Sequence, residues 1–195
     1  MTRRRQRRNL PSGVRTIVFL IGLSIGVMEE AQGASSGIPV ENRIKAAFLV
    51  ELFSDVDWPA DAVPASGDQF VVGVVGEGPT TTALLDLRGL EMKEGRRLVV
   101  KRLTNAGDFG SCHMLFFSEE PGVDVRRVLG EIVGNAVLTV GETDDFARMG
   151  GMVRFYFASN RVRFEINPAA SRAAGLRISS RLLRLAKIVD DREGR

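Results

Sequence analysis

Two runs of alternating apolar and polar residues lie between Met152 and Ile166, and Ser159-Asn160 separates them. A two-residue connection of this kind predicts a β-hairpin. With Ser159-Asn160 as the turn, three apolar pairs share one face: Phe157 with Val162, Phe155 with Phe164 and Val153 with Ile166. A slip of one residue would move all of these side chains to the opposite face, so the pattern predicts the register as well as the hairpin.

The opposite face of this hairpin is polar. The same register places Tyr156 opposite Arg163 and Arg154 opposite Glu165. We therefore expect a cation-π contact in the first pair and an ion pair in the second, each contributing about 0.2 to 1 kcal/mol.

Upstream of the hairpin, the chain alternates between helical and strand patterns. Residues Glu41 to Val56 have helical spacing, and the apolar face of this predicted helix comprises Ile44, Ala47, Phe48, Val50, Leu52 and Phe53. The segments that follow are predicted as strands at 70–75, 97–101, 113–117 and 136–140 and as helices at 80–87 and 125–133. Apolar strands separated by helices favour a mostly parallel sheet covered on both faces.

Downstream of the hairpin, a short helix is predicted after Asn167-Pro168, with Gly175 as its stop. Ser179-Ser180 starts a final helix, whose apolar stripe is expected to pack on the sheet and comprises Leu182, Leu185, Ala186 and Val189. The predicted fold class is therefore α/β. It is a single three-layer domain, with a mixed, mostly parallel sheet, helices on both faces, and a C-terminal β-hairpin plus helix.

The amino terminus has the three-part pattern of a secretory signal peptide. A cluster of arginines precedes a mostly apolar run from Thr16 to Met28, and Ala31-Gln32-Gly33 supplies small residues for cleavage. As a helix, this run is roughly 20 Å long, against about 30 Å of hydrocarbon in a bilayer. We expect a signal peptide over 1–33, a flexible leader over 34–40, a folded domain over 41–189 and a polar tail over 190–195. Export to the periplasm follows, and an uncleaved membrane anchor is the alternative.

Loss of the signal peptide would change the charge of the protein. The full chain has 27 Lys and Arg against 24 Asp and Glu, and residues 34–195 retain 21 against 22, a net charge of −1. Nucleic-acid binding therefore loses the support of a basic composition. Residues 34–147 carry a net charge of −8 and residues 148–195 carry +7. Either the two parts neutralise each other in the fold, or the second part presents a basic surface to an acidic partner or to lipid headgroups.

The only cysteine, Cys112, is followed by the only histidine, His113. Because adjacent strand residues point to opposite faces, the two side chains are not expected to form a nucleophile and base. Cys112 is instead expected to be buried or to be an intermolecular disulfide partner. A metal site would need carboxylates such as Asp144 and Asp145 as its remaining ligands, and neither a metal nor another cofactor is predicted.

Several segments in a fixed order carry a resemblance to a known family. They read IKAAFLVELFSDVDWP (44–59), VVGVVGEGP (71–79), CHMLFFS (112–118), VLTVGETDDFARMGGMVRFYF (137–157), RVRFEIN (161–167) and GLRISSRLLRLAK (175–187). In their order and spacing, these segments resemble the YfiR family of small periplasmic proteins. The resemblance covers about 41–189.

The resemblance implies a non-enzymatic regulator. By analogy with the family's namesake, the protein would bind the periplasmic sensor region of an inner-membrane signalling protein, repress a diguanylate cyclase and so lower cyclic-di-GMP. The namesake is tied to redox control through disulfides, whereas Cys112 alone cannot form a disulfide within this chain. A homodimer is compatible with this function. We expect partner contacts at Trp58 and at the polar hairpin face, which comprises Arg154, Tyr156, Arg163 and Glu165.

Two other functions stay open from the residues. A periplasmic small-molecule binder would use the carboxyl ends of the strands as its pocket. Gly73, Gly76 and Gly78 lie at such an end, where free backbone amides can receive an anion or where glycine serves only a tight turn. An enzyme would depend on carboxylates such as Asp144, although no substrate is indicated.

Overall fold

A seven-stranded sheet forms the centre of the domain, and a computed structural model describes residues 37–59, 69–104 and 106–189. The predicted signal peptide, residues 34–36 of the leader and the polar tail lie outside the described residues. None of the helices in the described part of the chain is long and apolar enough to cross a membrane.

Nine strands are present in the described ranges. They are β1 (Val56–Asp57), β2 (Gln69–Val75), β3 (Arg97–Arg102), β4 (Met114–Phe117), β5 (Leu138–Gly141), β6 (Val153–Ala158), β7 (Arg161–Ile166), β8 (Arg177–Ile178) and β9 (Lys187–Ile188). The main sheet has the order β3-β2-β4-β5-β6-β7-β9, and β1 pairs separately with β8. All neighbouring strands of the main sheet are parallel except β6 and β7. The prediction of a mixed, mostly parallel sheet is confirmed.

Five α-helices lie around the sheet in the described residues. They are α1 (Val40–Leu52), α2 (Pro79–Asp86), α3 (Val125–Glu131), α4 (Pro168–Ala173) and α5 (Ser180–Leu185). Leu49 of α1 and Leu84 of α2 join the apolar core on one face of the sheet. Val128 of α3 belongs to a second core on the other face, which also contains Cys112. The predicted arrangement with helices on both faces is therefore confirmed.

The hairpin forms in the predicted register. Val153 pairs with Ile166, Phe155 with Phe164, and Phe157 with Val162. Ser159 and Asn160 have φ angles of 52° and 59°, the left-handed values that a type I′ turn requires at both central positions. This turn matches the twist of the strands and leaves no loop residues that could absorb a slip.

The predicted apolar face of α1 is partly wrong. Ile44 is 50% exposed and Ala47 is also exposed, whereas Lys45 is buried. The ammonium of Lys45 donates a hydrogen bond to Glu142, at 2.8 Å, and this bond fixes the rotation of the helix. The residues of α1 that enter the core are Ala46, Leu49 and Leu52.

The predicted final helix is shorter than expected. α5 ends at Leu185, which is exposed, and the chain then continues as β9 beside β7. Leu182 is buried in the core as predicted, and Val189 is also buried although it lies outside the helix. Pairing of Lys187 with Glu165 across the two strands favours the extended backbone over another helical turn.

Two glycines before the hairpin have different roles. Gly150 has a φ of 101°, a conformation that glycine adopts without strain. A Cβ atom on Gly151 would overlap the ring of Phe146, which is fully buried. Gly150 therefore makes the bend, whereas Gly151 is needed for the close approach of the Phe146 ring to the backbone.

We predict that Gly151→Ala lowers the free energy of unfolding by about 1–3 kcal/mol, because the methyl group displaces Phe146. The matched control is Gly130→Ala in α3, where a Cβ meets nothing within 4 Å. There alanine should stabilise the helix by up to about 1 kcal/mol. Urea unfolding of both variants measures the difference, and equal stabilisation by the two substitutions would contradict the proposed role of Phe146.

Candidate functional site on the polar face of the hairpin

The structure brings the four polar hairpin residues together on one face of β6 and β7. Arg154 pairs with Glu165 and Tyr156 pairs with Arg163 in the strand register. The predicted ion pair is confirmed, since Arg154 Nη1 lies 3.5 Å from Glu165 Oε2. The four residues therefore form a continuous polar row beside the core of the domain.

Arg154 is held by several contacts at once. Its Nε donates a hydrogen bond to the carbonyl oxygen of Thr143, at 3.0 Å, and its Nη2 pairs with the carboxylate of Asp144. Its guanidinium carbon lies 5.2 Å from the ring centroid of Tyr156. The predicted cation-π contact is thus made by Arg154 and not by Arg163, because both Arg154 and Tyr156 lie on the same face of β6, two positions apart.

Glu165 links three strands of the sheet. Its Oε1 accepts a hydrogen bond from Lys187 Nζ, at 2.8 Å, and its Oε2 faces Arg154. Only 11% of the Glu165 side chain is exposed, and 15% of the Arg154 side chain. These two residues therefore support the surface from within, and the row that solvent reaches consists of half-buried Tyr156 and exposed Arg163. Arg163 makes no hydrogen bond or ion pair with another described residue.

Trp58 lies apart from this face. Its ring packs against Phe53, Phe70 and His113, with ring centroids 6.1 Å apart in each case. These neighbours belong to the core on the face of the sheet opposite the polar row. Sequence analysis left open whether Trp58 is a core residue or an exposed anchor, and the structure places it as a half-buried part of the core.

Cys112 and His113 lie on opposite sides of the sheet, as the strand pattern predicts. The thiol is buried with Leu115 in the core under α3, and burial raises its pKa. His113 Nδ1 accepts a hydrogen bond from the backbone N–H of Val71, at 3.1 Å, which assigns the ring proton to Nε2. The two side chains therefore do not act as a nucleophile and its base. Among the residues that the structure describes, no three His, Cys, Asp or Glu side chains converge as a metal site.

A buried polar network was missed by sequence analysis. Lys45 Nζ and Thr80 Oγ1 donate hydrogen bonds to the same carboxylate oxygen of Glu142, at 2.8 and 2.9 Å. Asn42 Nδ2 donates in turn to Thr80 Oγ1, at 2.8 Å. The network joins α1, the first turn of α2 and the segment after β5. The only local signal was the presence of Asn42 and Lys45 three positions apart on one side of a helix.

The carboxyl ends of β2 and β4 form the crevice where ligands of open α/β sheets bind. Here the chain itself fills that crevice. A Cβ on Gly76 would lie 2.7 Å from the carbonyl oxygen of Glu120, and Glu77 forms an isolated antiparallel bridge with Glu120. Glycine at position 76 therefore serves the approach of this loop, and the geometry does not favour the anion site considered for Gly73, Gly76 and Gly78.

A cleft lies at the other edge of the sheet, where the strands begin. A cleft of about 490 Å³ is lined by Pro59, Cys112, Asn135, Ala173 and Gly175, among other residues. Cys112 and Asn135 precede β4 and β5, so this cleft lies away from the carboxyl ends, where the small-molecule alternative places its pocket. Small side chains on α4 leave the space open.

Charge in the second part of the chain is partly neutralised by the first part. Within the described ranges, three ion pairs join the two parts: Arg148 with Asp145, Arg154 with Asp144 and Arg181 with Asp55. Among the described residues of the second part, five exposed arginines make no ion pair with an acidic side chain: Arg161, Arg163, Arg172, Arg177 and Arg184. The second part is thus neutralised only in part by the first part. The positive charge that is left over includes Arg161 and Arg163 at the end of the hairpin.

One solved structure has a similar fold. A conserved domain protein from Vibrio cholerae O1 biovar eltor str. N16961 has a similar structure, with a TM-score of 0.50 and 12% sequence identity. The match covers 75% of this chain and 59% of that chain. At this identity the likeness shows the α/β fold alone.

The family follows from the sequence of the folded unit. Residues 42–187 match the YfiR/HmsC-like family, and this chain belongs to that family. Membership supports, in general terms, a periplasmic regulator of diguanylate cyclase signalling. The resemblance seen in the sequence is confirmed.

The environment of His113 predicts that the folded protein becomes less stable in acid. Burial, and secondly the charge of Arg96, lower its pKa from 6.5 to about 4. The unfolded chain therefore binds a proton more readily than the native state, so stability present above pH 6.5 is lost as the pH falls towards 4. The full effect is on the order of 3 kcal/mol.

The test is urea unfolding of the wild type and of His113→Asn between pH 7 and pH 4. Asparagine keeps an acceptor for the Val71 N–H but cannot gain a proton in this range. We expect the loss of stability between these pH values to be smaller in the variant by about 3 kcal/mol. Parallel pH curves for the two proteins would show that His113 does not control this transition.

Proposed function

We propose that this protein is a non-enzymatic periplasmic regulator that binds the periplasmic sensor region of an inner-membrane signalling protein. Through that contact it represses a diguanylate cyclase and lowers cyclic-di-GMP in the cell. The observation that carries the proposal is the match to the YfiR/HmsC-like family over residues 42–187. Export by the signal peptide at residues 1–33 delivers the protein to the compartment in which the sensor lies.

The polar row on the hairpin is the proposed contact surface. Tyr156 and Arg163 lie next to each other across β6 and β7, and both reach solvent. Tyrosine and arginine are enriched among the residues that dominate binding energy at interfaces. Arg154 and Glu165 hold this pair in position from below, whereas Trp58 keeps a packing role in the core.

Rigidity favours this surface as a recognition site. The guanidinium of Arg154 is fixed by Thr143, Asp144 and Glu165, so the Tyr156 ring packs on a side chain that does not move freely. A preorganised surface loses less conformational entropy on binding than a mobile one. Exposed Arg161 and Arg163 add positive charge, which suits an acidic patch on the sensor.

Repression requires that the protein bind one state of the sensor more tightly than the other. A shift of the sensor from 1:99 to 99:1 needs about 5.5 kcal/mol of preference between the two states. A few well-packed contacts of the kind that tyrosine and arginine make can supply this difference. Release of the protein would return the cyclase to its active state.

We predict that Arg163→Glu weakens capture of the sensor protein by about tenfold or more, because it reverses a charge at the contact surface. The measurement is crosslinking pull-down of the tagged protein from its own cell envelope, with mass spectrometry of the captured proteins. Arg126→Glu is the matched control, since Arg126 is also an exposed arginine but lies on α3, outside the hairpin.

A cellular readout completes this test. Deletion of the gene should raise intracellular cyclic-di-GMP, and the wild type and Arg126→Glu should restore the low level while Arg163→Glu should not. Equal capture and equal restoration by the two variants would remove the polar row from the proposal. An unchanged cyclic-di-GMP level in the deletion strain would overturn the proposed function itself.

Small-molecule binding is a second candidate function, and the cleft at the amino ends of the strands favours it. Its volume of about 490 Å³ is in the range of ligand sites, 300 to 1,000 Å³. The cleft lies beside Ala173, whose small side chain leaves room for a ligand.

We predict that a ligand of this cleft raises the melting temperature by roughly 5–10 °C at 100 times its dissociation constant. The screen would use amino acids, sugars and short-chain carboxylic acids. Ala173→Trp should fill the cleft and abolish the shift. A ligand whose shift persists in Ala173→Trp binds elsewhere, and a panel without any shift would count against this second function.

A further inference from the structure

We propose that Trp58, Arg96 and His113 form a buried site for an oxyanion, such as the carboxylate or phosphate group of a small molecule. The inference does not depend on the proposed sensor partner. It rests on three buried hydrogen-bond donors that lie in one aromatic cluster and have no acceptor among the described residues.

Each of these three side chains contains a buried nitrogen atom without a hydrogen-bond partner in the described part of the chain. The atoms are Trp58 Nε1, Arg96 Nη1 and His113 Nε2. His113 is the most enclosed residue, at 1% exposed, whereas Trp58 and Arg96 are half-buried. Native proteins pair nearly all of their buried polar atoms, so each of these nitrogens is expected to meet an acceptor.

All three atoms are hydrogen-bond donors. The indole of Trp58 and the guanidinium of Arg96 have no acceptor atoms at all. His113 Nδ1 accepts a hydrogen bond from the backbone N–H of Val71, so the ring proton is on Nε2. The group that satisfies these donors therefore has to be an acceptor. A negative charge on that group would also compensate the positive charge of Arg96.

Ring contacts place the three donors in one cluster. The centroid of the Trp58 ring lies 6.1 Å from that of His113 and 6.1 Å from that of Phe53. The guanidinium carbon of Arg96 lies 5.2 Å from the centroid of the Phe53 ring. Phe70 contacts both sides of the cluster, at 4.4 Å from Phe53 and 5.2 Å from His113. Arg96 is also near enough to His113 for its charge to lower the pKa of that ring.

The cluster lies at the edge of the sheet where the strands begin. Phe70 is the second residue of β2, Arg96 directly precedes β3, and His113 directly precedes β4. Gln69 and Arg97, the first residues of β2 and β3, are both exposed. A small anion can therefore approach the half-buried guanidinium of Arg96 from solvent at this edge.

The chemistry of the donors favours an anion over a water molecule. A water oxygen offers two lone pairs to the three donors, and its own protons would need acceptors that these side chains lack. An oxyanion has acceptors only, and the paired oxygens of a carboxylate or phosphate match the planar donors of an arginine. The surrounding rings of Phe53 and Phe70 lower the local dielectric, which strengthens such hydrogen bonds.

This site is separate from the cleft considered for small-molecule binding. None of the three donor residues is among the described residues that line that cleft, which include Pro59, Cys112 and Ala173. Cys112 and His113 lie on opposite sides of the sheet, so the two sites share an edge of the sheet but not a face. The two proposals can therefore be tested independently.

The first test uses Trp58, which is the only tryptophan of the chain. Its indole N–H gives a single NMR signal in the ¹⁵N-labelled exported protein, purified as the full mature chain. Titration with sodium phosphate or sodium acetate near pH 7 should move this signal downfield to a plateau, because the N–H gains an acceptor. Sodium chloride at the same ionic strength controls for screening by salt. The anion that gives the plateau identifies the oxyanion as a phosphate, a carboxylate or either.

The second test compares neighbouring arginines. Arg96→Gln should raise the dissociation constant of the responding anion by about tenfold or more, because the hydrogen bond to the anion loses its charge. Arg96→Lys should retain part of the affinity. Arg97→Gln is the matched control, since Arg97 is the next residue and is exposed. Ala173→Trp, which fills the separate cleft, should leave the affinity unchanged.

The proposal is overturned if neither phosphate nor acetate moves the indole signal beyond the effect of chloride. It is also overturned by equal affinities of Arg96→Gln and Arg97→Gln, and by loss of binding in Ala173→Trp, which would place the anion in the cleft. Trp58→Phe gives an independent check, since it keeps an aromatic ring but has no N–H. The anion should raise the melting temperature of this variant less than that of the wild type, and equal shifts would contradict the site.

Discussion

The buried ion pair between Lys45 and Glu142 is the contact on which the arrangement of this domain depends. Both side chains are 10% exposed, and Thr80 donates a second hydrogen bond to the same carboxylate. Removal of one partner from a buried pair typically costs 3–5 kcal/mol, roughly a third or more of the stability of an average domain. The pair therefore sets the rotation of α1, the position of the first turn of α2 and the path of the chain after β5.

That path leads directly to the candidate site. The backbone carbonyl of Thr143 and the carboxylate of Asp144, which follow Glu142 in the chain, hold the guanidinium of Arg154. Arg154 in turn supports the ring of Tyr156. The position of the polar row on the hairpin is thus coupled to the packing of α1 through a segment of three residues. A change in the core near Lys45 would therefore alter the positions of Arg154 and Tyr156 at the hairpin surface.

Sequence reasoning succeeded where the determining contacts are local. The hairpin register follows from an alternating pattern on both sides of Ser159-Asn160, and all six of its apolar residues pair as predicted. The same reasoning brought Arg154, Tyr156, Arg163 and Glu165 to one face. It could not separate supporting residues from surface residues, because Asp144 and Lys187, which hold Arg154 and Glu165, come from outside the hairpin.

The failures share one physical cause, which is a partner far away in the sequence. Lys45 and Glu142 are 97 positions apart, and without Glu142 a lysine within an amphipathic pattern belongs to the solvent face. The short final helix has a similar explanation, because pairing with β7 draws Lys187 and Ile188 into an edge strand. In both cases a tertiary contact overrides a helical pattern that is valid locally.

The two faces of the hairpin serve different purposes. Phe155 and Phe164 point to the side of α1 and pack on its Phe48 ring. Tyr156 and Arg163 point away from α1. Because successive residues of a strand alternate between its faces, the register that buries the phenylalanines also fixes the position of the polar row. A slip of one residue would exchange the two faces, so correct packing of the hairpin core and an intact polar row are one and the same condition.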